Sequence, residues 1–366
     1  CIPGGHQACA AVRCGRFSSL AAPARPGAPL LSHPFTRKAA SRVMSSLKLL
    51  ASGALAALAG ASPAAPGAMA AEQSAGNATA GMAAQLSATG SASYSGGAGL
   101  MYAYLAQSAI CPGIARAWDC GPCRHVPGVT DVRSADNSDL GTHGFVAKRD
   151  GQCVLAFRGT DSVQGWIQDL KSMALVDFPG CSFAGTSCGV GAGFWQDYSA
   201  LAPQIKAELQ QIGCGKGTPI AITGHSLGGA LTMIAALDLR SEGYNVETVY
   251  TFGSPRVGDS TFANAFKQSM GSVAVFRVTN ADDPIPLLPP KDPFEHVGQE
   301  VFYSSGASFQ LCSGHEDQAC SDGYHNSLFW MIMQCGLDVH SCGHMTYFSP
   351  QLPFDTQCQG GSVLFP

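Results

Sequence analysis

Residues 219–233 read PIAITGHSLGGALTM, which puts Ser226 between Gly224 and Gly228. A β-branched apolar run leads in and a helix-like pattern follows, so the serine is expected on a strand-to-helix turn. Glycines two residues to either side suit such a turn, because side chains there would collide with the crossing strand and helix. A serine hydroxyl is a weak nucleophile: it needs a general base, and the base needs a carboxylate to orient it. On a strand–serine–helix frame those partners follow in the order Ser, Asp/Glu, His. The stretch VAVFRVTNADDPIPLLPP ends a later strand with two carboxylates, Asp282 and Asp283. Five histidines lie downstream: His296, His315, His325, His340 and His344. Spacing and chemistry leave the choice among them open.

The elements that would position these groups are legible in outline. GFVAKRDGQCVLAFRG predicts two strands about an Asp150-Gly151 turn, a strong hairpin signal. GFWQDYSALAPQIKAELQQIG predicts an amphipathic helix ending at Gly213, and PIAIT a short buried strand. Residues 227–242 predict a helix closed by Gly243, and ETVYTFGS and VAVFRVTN two further strands. Strands separated by helices imply an α/β fold, a mostly parallel sheet with helices on both faces. No internal repeat or second domain is evident. GCGKGTP, from Gly213, has a superficial likeness to a phosphate-binding loop but lacks the Gly-Lys-Ser/Thr run and precedes a strand, so it reads as a turn.

The first seventy residues differ from the rest. They hold seven of the chain's 21 basic residues and none of its 25 acids. Met44 opens a segment with a basic start, an apolar run from Leu49 to Ala61 and several Ala-x-Ala sites, the build of a secretory signal peptide over 44–70. The run is too short to span a bilayer, which takes about 20 residues, and no stable membrane anchor is expected. Residues 1–43 fit upstream sequence absent from the mature protein, with an organellar transit peptide as the competing reading. Residues 71–98, rich in Ala, Gly and Ser, read as a flexible lead-in or pro-region containing the sequon Asn77-Ala78-Thr79, and 99–360 as the folded domain. Without 1–70, fourteen basic residues face 25 acids, a net charge near −11 that disfavours nucleic acid as a partner. Twelve of the fifteen cysteines follow Met44, an even number that in a secreted chain suggests up to six disulfides.

Five motifs in order, Phe157-Arg158-Gly159-Thr160, Gly224-His225-Ser226-Leu227-Gly228-Gly229, Phe252-Gly253-Ser254-Pro255-Arg256-Val257-Gly258, Asp283-Pro284-Ile285-Pro286-Leu287-Leu288-Pro289 and His344-Met345-Thr346-Tyr347-Phe348, resemble those of the fungal class 3 lipases. The resemblance implies a single α/β-hydrolase domain with a helical lid. It implies Asp283 as the carboxylate and His344 as the base. Asp282 is then a solvated neighbour, His340 structural, and His225 a support for the serine turn. An oxyanion site is implied at the backbone N–H of Leu227 and at Thr160, and no metal or cofactor is expected.

After Thr160, Val163, Trp166, Ile167 and Leu170 recur at helical spacing as one apolar stripe. The resemblance makes this stripe the lid, with Trp166 its tryptophan. Exposing it to water forfeits roughly 1.5–3 kcal/mol per side chain, whereas an oil–water interface would absorb it, so a lipid ester is the expected substrate. The implied activity is a secreted triacylglycerol lipase. Phospholipase A1, feruloyl or other carbohydrate-ester esterase and a non-catalytic surface-binding protein are the rivals; partner proteins, chain-length preference and oligomeric state are not legible. The resemblance also implies the disulfides Cys120–Cys123, Cys312–Cys320 and Cys111–Cys358. Pairing among Cys153, Cys181, Cys188, Cys214, Cys335 and Cys342 stays open, with 181–188, 153–214 and 335–342 as the working set.

Overall fold

The computed structural model describes residues 93–160, 167, 169–185, 187–306, 308–324, 332, 343–348, 352–353 and 358. The expected signal segment, the sequon, Val163, Trp166, His325, His340, Cys335 and Cys342 lie outside the described residues.

In chain order the strands are β1 (Val129–Asn137), β2 (Thr142–Arg149), β3 (Gln152–Phe157), β4 (Leu175–Phe178), β5 (Cys188–Gly191), β6 (Ile220–His225) and β7 (Val246–Phe252). They continue with β8 (Gly258–Asp259), β9 (Ala274–Asn280), β10 (Phe294–Glu295), β11 (Gln299–Ser305), β12 (Ser308–Leu311), β13 (Thr346–Tyr347) and β14 (Leu352–Pro353). The main helices are α1 (Gly96–Ser108), α2 (Ala192–Gln211), α3 (Leu227–Ser241) and α4 (Ser260–Met270). An eight-stranded sheet has the order β1-β2-β3-β6-β7-β9-β11-β12, and β10-β8-β5-β4 form a smaller sheet. The central pairs β3–β6, β6–β7, β7–β9 and β9–β11 are parallel, while β1–β2, β2–β3 and β11–β12 are antiparallel.

The sequence pattern accounts for this order. At the β2–β3 hairpin Asp150 and Gly151 both take positive φ, 50° and 78°, as a two-residue turn with the strands' own twist demands. Strand β6 is paired on both edges and every one of its residues is buried, which is why it reads as a continuous run and not an alternation. Side chains of the central strands nevertheless divide by parity between two cores. Leu155, Phe157, Ile220, Ile222 and Val249 join Phe194, Leu201 and Ile234 from α2 and α3 in one. Val154, Ala156, Ala221 and Tyr250 join Tyr102, Leu105 and Ala106 from α1 in the other.

Helix α1 begins at Gly96, inside the stretch read as a flexible lead-in to residue 98. Ser95 caps it by accepting the Ala98 N–H, and Tyr94 is buried with its hydroxyl 3.0 Å from that of Tyr303. Among the described residues five disulfides tie the fold: Cys111–Cys358, Cys120–Cys123, Cys153–Cys214, Cys181–Cys188 and Cys312–Cys320. No described helix is long and apolar enough to cross a membrane.

Candidate active site

Strand β6 ends at His225 and α3 begins at Leu227, so Ser226 alone makes the turn, with φ 60° and ψ −127°. A non-glycine residue is rarely found there, and the surroundings over-determine it. The Ser226 N–H donates to Phe252 O at 2.9 Å, and the Ser226 carbonyl accepts from Gly229 N–H at 2.9 Å. A Cβ on Gly224 would lie 2.2 Å from Gly228 O, and one on Gly228 2.3 Å from Phe157 O. Both contacts are with backbone, which cannot yield as a flexible side chain could. Gly228→Ala is therefore expected to lower stability by about 3 kcal/mol, through overpacking. Chemical denaturation would measure it, and a midpoint equal to that of the parent protein would contradict the packing argument.

Asp283 follows the end of β9 and is buried, whereas Asp282 beside it is exposed. The Asp283 carboxylate accepts three donors: Ile285 N–H at 2.8 Å, Tyr347 O–H at 2.5 Å and His344 Nδ1–H at 2.9 Å. Because the carboxylate only accepts, Nδ1 carries the hydrogen and neutral His344 keeps a bare Nε2. Ser226 Oγ and His344 Nε2 are both buried without a hydrogen-bond partner among the described residues. Phe252 O accepts the Ser226 N–H, and a Cβ on the next residue, Gly253, would lie 2.6 Å from Asp283 Oδ2 and 2.8 Å from His344 Nδ1. Only glycine leaves room for the pair.

Several neighbours hold this arrangement. Asn280, at the end of β9, donates from Nδ2 to Gly343 O at 3.0 Å and Thr346 O at 2.6 Å, bracketing His344. His225 donates from Nε2 to His344 O at 2.8 Å, its ring 4.5 Å from the His344 ring. Burial, with the nearby His344, holds His225 well below the usual histidine range, so it is a neutral donor. Burial, with the Asp283 charge, raises the Tyr347 hydroxyl well above its ordinary value and keeps it a donor. Asn280 and Tyr347 are supports that sequence reasoning did not single out; Tyr347 stood within the motif that begins at His344, whereas Asn280, three residues before Asp283, lay outside the matched motifs.

The remaining expected residues fall as follows. His296 is buried and donates from Nε2 to Pro286 O, and His315 uses Nδ1 toward Gly298 O, so neither approaches Asp283 as His344 does. Leu227 is the first residue of α3, where a backbone N–H has no carbonyl of its own helix to bond. Thr160 is half-buried beyond the end of β3, and its neighbour Gly159 abuts the serine, since a Cβ there would lie 3.2 Å from Ser226 Cβ. Ile167 and Leu170 are helical and buried in the first core. Among the described residues one set of potential metal ligands converges, Glu300, Cys312 and Cys320. The two sulfurs are joined as a disulfide, and the carboxylate is taken by Arg277, Thr279 and Ser321.

Known proteins share this fold and part of this sequence. The family description Lipase (class 3) matches residues 154–292. The chain is 32% identical over 233 residues to secreted mono- and diacylglycerol lipase 1 of Fusarium solani, covering 59% of this chain and 63% of that protein. It spans 58% of the length of a Rhizomucor miehei lipase and 60% of that of secreted mono- and diacylglycerol lipase A of Penicillium cyclopium. Lipase II from Rhizopus niveus superposes with a TM-score of 0.59 at 27% identity, over 69% of this chain and 94% of that one. A triacylglycerol lipase whose catalytic centre is formed by a serine protease triad superposes at 0.57 and 27%, over 68% and 92%. Fold, motif order and matched segment agree: residues 154–292 match the class 3 lipase family, and the chain has the α/β-hydrolase fold of these fungal lipases.

Proposed function

We propose that this chain is a secreted acylglycerol lipase, with Ser226 as nucleophile, His344 as general base, Asp283 as the group that orients it, and Leu227 and Thr160 as oxyanion donors. The observation that carries this reading is the pair of buried atoms without partners, Ser226 Oγ and His344 Nε2, beside an imidazole whose tautomer is set by Asp283. Ser226 Oγ attacks the ester carbonyl carbon as its proton passes to His344 Nε2. The carbonyl oxygen gains the negative charge, and the N–H of Leu227 with Thr160 stabilises it. Collapse releases the alcohol, protonated by His344, and leaves an acyl-enzyme. Water then repeats the sequence and frees the fatty acid.

The relatives named above hydrolyse acylglycerols by their names, some mono- and diacylglycerols and one triacylglycerols, which supports that ester class. The Val163, Trp166, Ile167 and Leu170 stripe supports attack at an oil–water interface, where a lid helix would lose less by opening. A leader over 44–70, five disulfides and relatives named as secreted support export.

Initial rates on tributyrin, taken below and above its solubility limit and alongside a feruloylated sugar, test the reading. A rate that climbs as the emulsion forms is expected, together with covalent labelling of Ser226 by a serine-directed phosphonate. Saturation on the soluble sugar ester, with no rise at the interface, would overturn it in favour of a carbohydrate-ester esterase. Parallel rates on mono-, di- and trioleoylglycerol would separate the acylglycerol classes.

A further inference from the structure

Four consecutive carbonyls of the segment that follows Asp283 are held from outside it. His296 Nε2 donates to Pro286 O at 2.7 Å. Arg256 holds the next three: Nη1 donates to Leu287 O at 2.6 Å and to Pro289 O at 2.9 Å, and its backbone N–H to Leu288 O at 2.8 Å. Within the same segment the Ile285 N–H reaches back to Asp283 Oδ1. The direction of the carboxylate is thus tied to a short turn, Ile285–Leu287, whose carbonyls have no freedom to reorient.

The other edge of the Arg256 guanidinium is engaged just as fully. Nε donates to Glu316 Oε1 at 2.9 Å and Nη2 to Glu316 Oε2 at 2.8 Å, a two-pronged pair, with Asp322 Oδ1 3.5 Å from Nη2. Glu316 also accepts the His296 N–H at 3.2 Å. Arg256 is only 2% exposed. Burial pushes the Glu316 carboxyl up, but the Arg256 hydrogen bond and charge, with Arg277 and Lys291, outweigh it and hold the carboxyl below its usual value. Glu316 sits in the loop closed by Cys312–Cys320, and Arg256 lies three residues beyond Gly253, which touches the Asp283–His344 pair.

A buried ion pair is a weak source of net stability, because desolvation offsets most of its attraction. What this pair supplies is direction. A planar guanidinium clamped by a carboxylate on one edge holds its other edge at fixed angles, which a lysine ammonium does not.

We propose that Arg256 is a positioning residue for Asp283, set in place by Glu316 of the Cys312–Cys320 loop, and that it acts by fixing the carbonyl run 287–289 behind the carboxylate. The inference rests on the reading of Asp283 as the partner of His344 in activating Ser226. Loosening the clamp lets the Asp283 carboxylate turn and His344 lose its orientation. The chemical step slows and KM does not change.

The test is a set of double-mutant cycles on the full chain with soluble p-nitrophenyl butyrate. Arg256→Lys and Glu316→Gln are each made alone and on an Asp283→Asn background, and thermal unfolding is recorded for every variant. Each single variant is expected to lower kcat by about 10- to 100-fold, the scale of a misplaced catalytic group, with KM unchanged. On the Asp283→Asn background neither change is expected to cost more, because both act through a carboxylate already removed. Unchanged kcat in Glu316→Gln, or the same fold-loss on both backgrounds, would overturn the proposal. Glu316, partly exposed at 21%, carries the test if Arg256→Lys does not fold. An Asp283→Asn protein with full activity would instead overturn the underlying assignment of the triad.

Discussion

Ser226→Ala is expected to lower kcat on soluble and emulsified esters by about 10⁶-fold, the scale seen when a serine hydrolase loses its nucleophile. The change removes a single atom, Oγ, which makes no hydrogen bond among the described residues. Alanine keeps the Cβ that the turn already accommodates at φ 60°, and the two backbone hydrogen bonds of residue 226 need no side chain. Folding should therefore be preserved while both rate and phosphonate labelling disappear. Some residual catalysis over water would remain, since the proposed oxyanion donors at Leu227 and Thr160 are left in place. Rates of the purified variant with thermal unfolding beside the parent would check this. A variant keeping more than about 1% of the parent activity would rule Ser226 out as the nucleophile.

Asp283→Asn is expected to cost about 10⁴-fold in kcat with little change in shape. The carboxylate now accepts from His344 Nδ1, Ile285 N and Tyr347 Oη at once. An amide has one acceptor oxygen; kept on Ile285 N–H at the Oδ1 position, it leaves an N–H₂ at the Oδ2 position facing Tyr347 and His344. The imidazole would then take the opposite tautomer, with its hydrogen on Nε2, where it cannot receive the proton of Ser226. Kinetics on p-nitrophenyl butyrate would measure the loss. A decrease of less than about 100-fold would mean that another carboxylate orients the base.

Much of the route to these residues is legible in the amino-acid sequence. The hairpin at Asp150-Gly151 is readable because the two residues must adopt positive φ, a local demand. The same holds for β6, the serine turn and α3, where apolar patterning and glycine spacing are confined to some twenty consecutive residues. Strands β1, β11 and β12 do not stand out in the sequence. β1 is polar along much of its length and all four residues of β12 are exposed, so neither has the apolar run that marks a buried strand. Helix α1 falls partly in the expected lead-in because its small residues look like a linker until Tyr94 and Tyr303 are seen together. The choice of His344 over His296 and His315 comes from resemblance and not from chemistry. In space the reason is plain, for those two histidines are spent on backbone carbonyls.

By itself, then, the sequence determined the serine turn, the α/β alternation and the set of groups from which a triad could be drawn, since each depends on neighbours within one or two elements. Tertiary structure alone decided which groups meet. Asp283 and His344 are 61 residues apart, Tyr347 and Asp283 64, and Arg256 and Glu316 60. No periodicity encodes such pairs: they form because the parallel strands deliver their C-terminal loops to one edge of the sheet, where buried polar groups must find partners or remain unsatisfied.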